Sequence, residues 1–210
     1  MIKLVIFDLW QTLAYKKGLS RHYSARKILK ETGSKIPLLE FVGIFEEALQ
    51  RKKWRSKYEA YQNLCKEMGL EANNENVSLI MDIRDGAEER TAVYSYVIPM
   101  LIKLKKQGYK IGLISDSSIF MVEQVKRKSK LLDYIDYPLF SYDVGVVKPN
   151  LKLYKKMLEM TECKSKETIM IGDTKKYDVI PARKLGMNAI HYVGYGDLKK
   201  RMASFGVSIR

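Results

Sequence analysis

Four short apolar runs recur along the chain, and each ends abruptly at a polar residue or a glycine. The runs cover residues 3–7, 110–114, 168–171 and 188–193, and they stop at Asp8, Ser115, Gly172 and Gly194. A continuous apolar run rich in β-branched residues, without alternation, is typical of a parallel strand buried on both faces. The pattern therefore predicts four strands of one parallel sheet.

Segments with helical spacing of apolar residues alternate with these runs. They cover residues 92–107, 118–128, 151–160 and 179–185, and Gly186 closes the last of them. A glycine just after a periodic segment is a common helix end. The regular alternation of strands and helices predicts an α/β protein with a doubly wound, Rossmann-like parallel sheet.

The segment between Thr12 and about Ala92 has no strand signal and shows helical spacing instead. One apolar face consists of Leu38, Phe41, Val42, Phe45 and Leu49, and a second consists of Tyr58, Tyr61, Leu64, Cys65 and Met68. Such spacing is typical of amphipathic helices that pack on one another. We therefore expect an α/β core domain at 1–14 and 92–210, and an inserted helical cap domain at 15–91.

Composition and cysteine content are those of an ordinary globular protein. The 210 residues are 46% hydrophobic and 30% charged, and the chain is long enough to bury its own core. Cys65 and Cys163 lie outside any metal-binding motif, so we expect reduced core thiols. The first apolar run stops at Asp8 and is too short for a secretory signal or a membrane span. We expect a cytoplasmic protein without a membrane partner.

The chain is strongly basic, with 38 Lys and Arg residues against 24 Asp and Glu residues and a formal net charge of +14. Such an excess attracts anions, whether polyanions, anionic membrane surfaces or small phosphorylated compounds. The predicted core has a net charge of +11, whereas the predicted cap has +3. Because no nucleic-acid-binding motif accompanies the charge, we expect small anionic substrates rather than nucleic acid.

Reactive side chains follow the predicted strands. Asp8 follows the first strand, Ser115 and Asp116 follow the second, Asp173 and Asp178 follow the third, and Lys148 lies in the loop 144–150. The carboxyl ends of parallel strands share one edge of the sheet, so these groups are expected to converge. Magnesium and Lys148 would neutralise phosphate charge while Asp8 attacks phosphorus. The set favours phosphoryl transfer.

Four motifs in this order resemble those of the haloacid dehalogenase superfamily. The quoted segments are Val5-Ile6-Phe7-Asp8-Leu9-Trp10-Gln11-Thr12-Leu13, Gly112-Leu113-Ile114-Ser115, Val147-Lys148-Pro149-Asn150 and Gly172-Asp173-Thr174-Lys175-Lys176-Tyr177-Asp178. The helical insert between the first two motifs is similar to the family's cap, which closes over the site and selects substrates. The resemblance covers the whole predicted core and implies a hydrolase.

The resemblance implies a role for each matching residue. Asp8, Ser115 and Lys148 would be catalytic. Trp10, Gln11, Thr12 and Asp116 would bind substrate, although Asp116 could instead cap a helix. Magnesium would be held by Asp8, Asp173, Asp178 and the backbone carbonyl of Trp10, although Asp178 could instead orient Lys148 or cap a helix. The implied activity is magnesium-dependent hydrolysis of small phosphorylated metabolites through an aspartyl-phosphate intermediate.

Trp10 departs from the family's phosphatase pattern, in which a second Asp two residues after the nucleophile transfers protons. An indole cannot transfer a proton in this pH range, so an effect typically worth ~10²–10⁴-fold is absent or comes from elsewhere. A good leaving group, Gln11 or a group from the cap could compensate. Alternatively, the chain is a non-catalytic member that binds a phosphorylated ligand.

A 2-haloacid dehalogenase is the other alternative, because those relatives carry an aromatic Tyr at the position of Trp10. Asp8 would then attack carbon of a carboxylate substrate and form an ester, without metal. Tyr154 fits the spacing of a tyrosine in those enzymes, and Arg21 and Arg26 are candidates for their cap arginine by location only. The fourth motif favours the phosphohydrolase, since dehalogenases carry Ser and Asn where this chain has Asp173 and Lys175. Two carboxylates without a cation repel each other.

Overall fold

The computed structural model describes residues 1–209, which form a β-sheet flanked by helices and a separate helical bundle. The strands are β1 Leu4–Phe7, β2 Ala14–Lys16, β3 Thr91–Val93, β4 Lys110–Ser115, β5 Tyr137–Phe140, β6 Thr168–Gly172 and β7 Asn188–His191. The helices are α1 Tyr23–Glu31, α2 Leu38–Gln50, α3 Lys57–Glu67, α4 Asn74–Glu88, α5 Val97–Lys106, α6 Ile119–Lys128, α7 Ser141–Val144, α8 Leu151–Thr161, α9 Ile180–Lys184 and α10 Tyr195–Ala203.

Five parallel strands form the main sheet in the order β5-β4-β1-β6-β7. All four residues of β1 are fully buried, because the strand lies at the centre of the sheet with helices on both faces. Val5 and Phe7 belong to a cluster with α5, α6 and α10, whereas Leu4 and Ile6 belong to a cluster with α8 and α9. The predicted doubly wound α/β fold is confirmed.

Helices α1 to α4 form a third hydrophobic cluster. Ile28, Phe41, Leu64 and Ile80, one from each helix, are fully buried there. The apolar faces predicted from the spacing therefore meet in the interior of this bundle. Cys65 is buried in the same cluster as a free thiol.

A two-stranded antiparallel ribbon connects the bundle to the sheet. Strand β2 pairs with β3, and Tyr15 of the ribbon stacks on Tyr94 with ring centroids 4.4 Å apart. The sequence pattern missed both strands, since three residues are too few to show a period. It also predicted a helix from residue 92, whereas α5 begins at Val97 after the ribbon has ended.

The pattern also missed β5 at one edge of the main sheet. This strand is half-buried and contains Pro138, which is tolerated because edge strands leave backbone N–H groups unpaired. The last predicted strand, 188–193, is shorter than expected and ends at His191. None of the helices that the structure describes has the length and apolar character needed to cross a membrane.

Candidate active site

Three neighbouring strands deliver the candidate residues to one edge of the sheet. Asp8 follows β1, Ser115 is the last residue of β4, and Asp173 follows β6. Strand β1 pairs with β4 on one side and with β6 on the other, so the edge lies where the strand order reverses. Open α/β sheets have their ligand crevice at such a point.

A buried ion triad forms the floor of this crevice. The Nζ atom of Lys148 donates hydrogen bonds to Oδ1 of Asp8 and to Oδ1 of Asp178, both at 2.7 Å. Exposure is 5% for Asp8, 5% for Lys148 and 1% for Asp178. Charges this deeply buried are tolerated only when they are paired, because removing an ion from water costs roughly several kcal/mol.

Burial acts in opposite directions on the pKa values of Asp8 and Lys148. Burial raises the pKa of Asp8, and the ammonium group of Lys148 opposes the rise. Burial alone would lower the pKa of Lys148, but the carboxylates of Asp178 and Asp8 outweigh it and hold that pKa well above its ordinary value. Lys148 therefore remains a cation that can neutralise charge beside Asp8.

Asp116 holds the loop that carries Lys148. Both of its carboxylate oxygens accept hydrogen bonds from the backbone N–H of Lys148, at 3.1 and 3.0 Å. Burial raises the pKa of Asp116 to about 6, while Lys148 opposes the rise. The alternative role as a helix cap falls to Ser118, whose hydroxyl accepts from the backbone N–H of Met121 at 3.4 Å. Asp116 is thus placed to position Lys148.

Thr12 and Lys148 together orient the carboxylate of Asp8. The hydroxyl of Thr12 donates to Oδ2 of Asp8 at 3.2 Å, while Lys148 donates to Oδ1. Thr12 is only 1% exposed, so water does not compete with Asp8 for its hydroxyl group. Gln11 has a left-handed backbone (φ 63°), and its N–H donates to the carbonyl of Ala14 at 2.7 Å. Gln11 therefore turns the chain from the sheet into β2.

The acidic side of the crevice has the donor set of a metal site. One carboxylate oxygen each from Asp8, Asp173 and Asp178 lie within 4.8 Å of one another. Lys148 pairs with Asp8 and Asp178, and Arg21 pairs with Asp173, so three carboxylates face two cations and the cluster keeps an excess of negative charge. Carboxylate oxygens with an uncompensated negative charge suit Mg²⁺, a hard divalent cation. The residues present therefore fit a magnesium ion.

Gly172 makes room for Asp178. A Cβ atom at Gly172 would lie 2.3 Å from Cγ of Asp178, a distance that no side chain can accept. Asp178 also accepts a hydrogen bond from the backbone N–H of Thr174 at 3.0 Å. One oxygen of Asp178 thus binds Lys148, and the other binds the loop after β6. The carboxyl group occupies the space that a side chain at residue 172 would need, which explains the glycine there.

Arg21, just before α1, reaches the acidic side from the helical bundle. Its guanidinium donates to Oδ2 of Asp173 at 2.9 Å and to the hydroxyl of Thr174 at 3.1 Å. Arg26, the other arginine candidate, donates instead to the backbone carbonyl of Arg21 at 2.6 Å. Of the two, Arg21 alone contacts the candidate metal ligands in the described structure.

Trp10 and two serines form a hydrogen-bonded chain on the opposite side. The indole Nε1 donates to the hydroxyl of Ser117 at 2.9 Å, and that hydroxyl pairs with Ser115 at 2.9 Å. Ser117 was not among the predicted residues, although its position two residues after Ser115 could have pointed to it. Lys16 Nζ lies 5.1 Å from the centroid of a Trp10 ring. The indole is therefore held by Ser117 and covered by a cation.

Tyr154 lies in the hydrophobic cluster on the face of the sheet covered by α8 and α9, near enough to Lys148 and Asp178 to feel their charges. It is fully buried, and its hydroxyl donates to the backbone carbonyl of Tyr177. This hydrogen bond gives Tyr154 a packing role that does not depend on the dehalogenase resemblance.

A cavity of about 170 Å³ lies between the helical bundle and the sheet domain. Apolar residues such as Phe41 line it together with Lys16, Glu46, Gln50 and Arg84. Burial and the neighbouring Arg84 lower the pKa of Lys16 to about 7. The sequence pattern gave no sign of these polar residues, because their convergence depends on how the helices pack.

Comparisons with known proteins agree with this geometry. A sequence model described as haloacid dehalogenase-like hydrolase matches residues 5–192. A glyceraldehyde 3-phosphate phosphatase of Pyrococcus furiosus is 33% identical over 44% of this chain and 38% of its own length. Pyrophosphatase PpaX of Bacillus mycoides is 33% identical over 49% of this chain and 47% of its own length. The matched region thus covers less than half the length of each of these two curated relatives.

Solved structures share the fold over most of the chain. One is a haloacid dehalogenase family enzyme of Bacteroides thetaiotaomicron in complex with magnesium and inorganic phosphate, with a TM-score of 0.67, 19% identity, and coverage of 94% of this chain and 99% of that one. Another is a 2-haloacid dehalogenase of Pseudomonas syringae, with a TM-score of 0.60, 21% identity, and coverage of 91% and 86%. The fold alone therefore does not separate the two reaction types.

Proposed function

Since this chain belongs to the haloacid dehalogenase-like hydrolase family, we propose that it is a magnesium-dependent phosphohydrolase of small phosphorylated compounds. Asp8 is the proposed nucleophile, and the proposed intermediate is an aspartyl-phosphate. The observation that carries this proposal is the convergence of Asp8, Asp173 and Asp178 into one acidic cluster, with Lys148 bound to two of them. Relatives named as phosphatases support the substrate class.

The acidic cluster also favours phosphate over haloacid chemistry. A dehalogenase of this family needs no metal, and without one the carboxylate of Asp173 would repel the nucleophilic carboxylate of Asp8. Asp8 and Asp173, with the backbone carbonyl of Trp10, would hold the magnesium ion, and Asp178 would orient Lys148 beside it. When bound, the ion neutralises phosphate charge and polarises the phosphoryl group.

The residues of this chain then perform the first half of the reaction. An oxygen of Asp8 attacks phosphorus and forms the acyl phosphate, while the bond from phosphorus to the leaving oxygen breaks. Lys148 stabilises the charge on the phosphoryl oxygens, and Asp116 keeps Lys148 in place through its backbone N–H. The Ser115 hydroxyl, hydrogen-bonded to Ser117, is the proposed donor to a phosphoryl oxygen.

In the second half, water attacks phosphorus and releases phosphate and the carboxylate of Asp8. The positive net charge of +14 raises the local concentration of anions and therefore assists the approach of a phosphorylated substrate. This attraction weakens as salt increases, because the Debye length falls to roughly 8 Å at physiological ionic strength.

A substrate screen with and without magnesium tests the proposal. We expect hydrolysis of p-nitrophenyl phosphate in the presence of magnesium, and loss of activity when the metal is chelated. Equal turnover with and without chelator would overturn the proposed function. Release of chloride from 2-chloropropionate in the absence of metal would support the dehalogenase reaction instead.

A further inference from the structure

The proposed phosphohydrolase lacks a proton donor at the usual place. The leaving group of an alkyl phosphate departs as an alkoxide unless an acid protonates its oxygen. Such an acid typically contributes ~10²–10⁴-fold to the rate. Trp10 cannot donate the proton, and its Nε1 is bound to Ser117. If this chain cleaves alkyl phosphates, the proton must come from another residue.

The cavity between the helical bundle and the sheet domain contains one carboxylic acid among the described residues that line it, and this residue is Glu46. The walls come from both sides, since Lys16 belongs to the ribbon strand β2, Met121 to α6 of the sheet domain, and Glu46 to α2 of the bundle. Lys16 covers the indole of Trp10. Glu46 therefore shares a cavity with a side chain that contacts the position of the missing acid.

Helix α2 is docked firmly on the sheet domain just beyond Glu46. The backbone carbonyl of Gln50, one turn later, accepts a hydrogen bond from the buried hydroxyl of Ser141 at 2.6 Å. The next residue, Arg51, donates from Nε to the carbonyl of Gly145 at 2.9 Å. Gly145 lies three residues before Lys148, so these contacts fix the end of α2 beside the loop that carries Lys148.

We propose that Glu46 is the acid and base of the reaction, and that the leaving group of the substrate occupies the cavity whose wall Glu46 forms. This proposal rests on the proposed phosphohydrolase function. It goes beyond the family's motif, which supplies the proton from the residue that is Trp10 here.

The proton balance of the two steps is complete with Glu46 alone. As Asp8 attacks, the electron pair of the breaking bond goes to the leaving oxygen, and the protonated carboxyl of Glu46 gives its proton to that oxygen. The resulting carboxylate of Glu46 takes a proton from water as the water oxygen bonds to phosphorus and the bond to Asp8 breaks. The net reaction consumes water and yields an alcohol and phosphate.

The surroundings of Glu46 keep a substantial fraction of its carboxyl groups protonated near neutral pH. Burial raises the pKa of Glu46 to about 7, and the charges of Asp116 and Glu47 add to the rise, whereas Lys148 and Arg21 oppose it. Lys16, His22 and Arg84 are the other titratable or charged residues that line the cavity with it, together with Tyr23. A carboxyl group with a pKa near the working pH can both give and accept a proton.

The cavity also limits the chemistry of the leaving group. Oε1 of Gln50 and Nε of Arg84 are buried without a hydrogen-bond partner in the described structure, and both residues line the cavity. An unmatched acceptor and an unmatched donor, each on a residue less than 10% exposed, call for a ligand that can bond to both. Apolar walls and a volume of about 170 Å³ suit a compact hydroxylated group of roughly benzene size.

The test compares Glu46→Gln with Glu40→Gln on two substrates, p-nitrophenyl phosphate and glycerol phosphate. Nitrophenolate leaves without an acid, so Glu46→Gln should release about one equivalent per enzyme rapidly and then turn over ~10²-fold more slowly, because water lacks its base. Glycerol phosphate should show no burst and a similar loss of kcat with little change of KM. Glu46→Asp should recover part of the activity. Glu40→Gln, at an exposed position of the same helix, should behave as wild type.

The outcomes separate the two proposals. Wild-type turnover with magnesium together with full activity of Glu46→Gln would overturn the role of Glu46 and leave the phosphohydrolase in place. Equal losses on both substrates without a burst would also overturn it, since that pattern indicates a structural role. Absence of wild-type phosphatase activity would overturn the proposed function and the role of Glu46 with it. Melting curves of each variant identify a loss that comes from misfolding.

Discussion

The buried triad of Asp8, Lys148 and Asp178, called the floor, and the walls of the cavity between the bundle and the sheet domain, here called the roof, are held by opposite kinds of interaction. On the floor, Lys148 and Asp178 are almost fully buried, and their charged groups bind each other. In the roof, Gln50 and Arg84 are equally buried, yet one polar atom of each has no partner in the described structure. The difference indicates that the floor is preorganised for one reaction, whereas the roof is completed by what it binds.

The largest effect should come from removing the nucleophile on the floor. Asp8→Asn should lower turnover of p-nitrophenyl phosphate by roughly 10⁴-fold or more, because no covalent intermediate can form. The fold should persist, since Lys148 keeps its ion pair with Asp178. Asp133→Asn, at an exposed site, is the control. Residual activity of Asp8→Asn within tenfold of wild type would exclude Asp8 as nucleophile.

A pair of glycine substitutions contrasts the two regions. Gly172→Ala should destabilise the protein by about 1–3 kcal/mol and reduce activity, because its Cβ would displace Asp178 and with it Lys148. Gly43→Ala, within α2 with open space around the added Cβ, should be neutral or stabilising by up to about 1 kcal/mol. Denaturant unfolding measures both. Equal effects on stability would contradict the tighter packing of the floor.

The pH dependence should differ between substrates if the roof supplies the proton. Glu46, with its pKa raised to about 7 by burial, must be protonated to give its proton to the departing oxygen, so that the leaving group departs as an alcohol. Turnover of glycerol phosphate should therefore fall as pH rises above about 7, by up to about tenfold per unit. Turnover of p-nitrophenyl phosphate should not show this fall. An identical alkaline decline for both substrates would assign it to another group.

The smallest effect should come from the contact between the helical bundle and the acidic cluster. Arg21 is more than half exposed, so its ion pair with Asp173 contributes about 0–1 kcal/mol to stability. Its charge, however, competes with a cation for Asp173. Arg21→Ala should lower the magnesium concentration for half-maximal activity a few-fold, whereas Arg55→Ala should not. A higher magnesium requirement would show that Arg21 supports the metal site.

The floor was predictable from the sequence, whereas the roof was not. Asp8, Lys148 and Asp173 follow strands or a loop whose places are fixed by sheet topology, so their spacing along the chain already predicts that they converge. Glu46 reaches the cavity, and Arg21 reaches Asp173, only through the packing of helices, which no local pattern encodes. Short or edge strands such as β3 and β5 were missed for a related reason, since their stability comes from pairing rather than from their own sequence.

Mass mapping of the protein during turnover tests the central claim most directly. The enzyme is mixed with p-nitrophenyl phosphate and magnesium, quenched in acid and digested, and the peptide containing Asp8 is weighed. We predict that this peptide gains one phosphoryl group, that chelation of magnesium or Asp8→Asn abolishes the gain, and that Glu46→Gln increases it. Turnover without phosphorylation of Asp8, or with phosphorylation of another residue, would contradict the account.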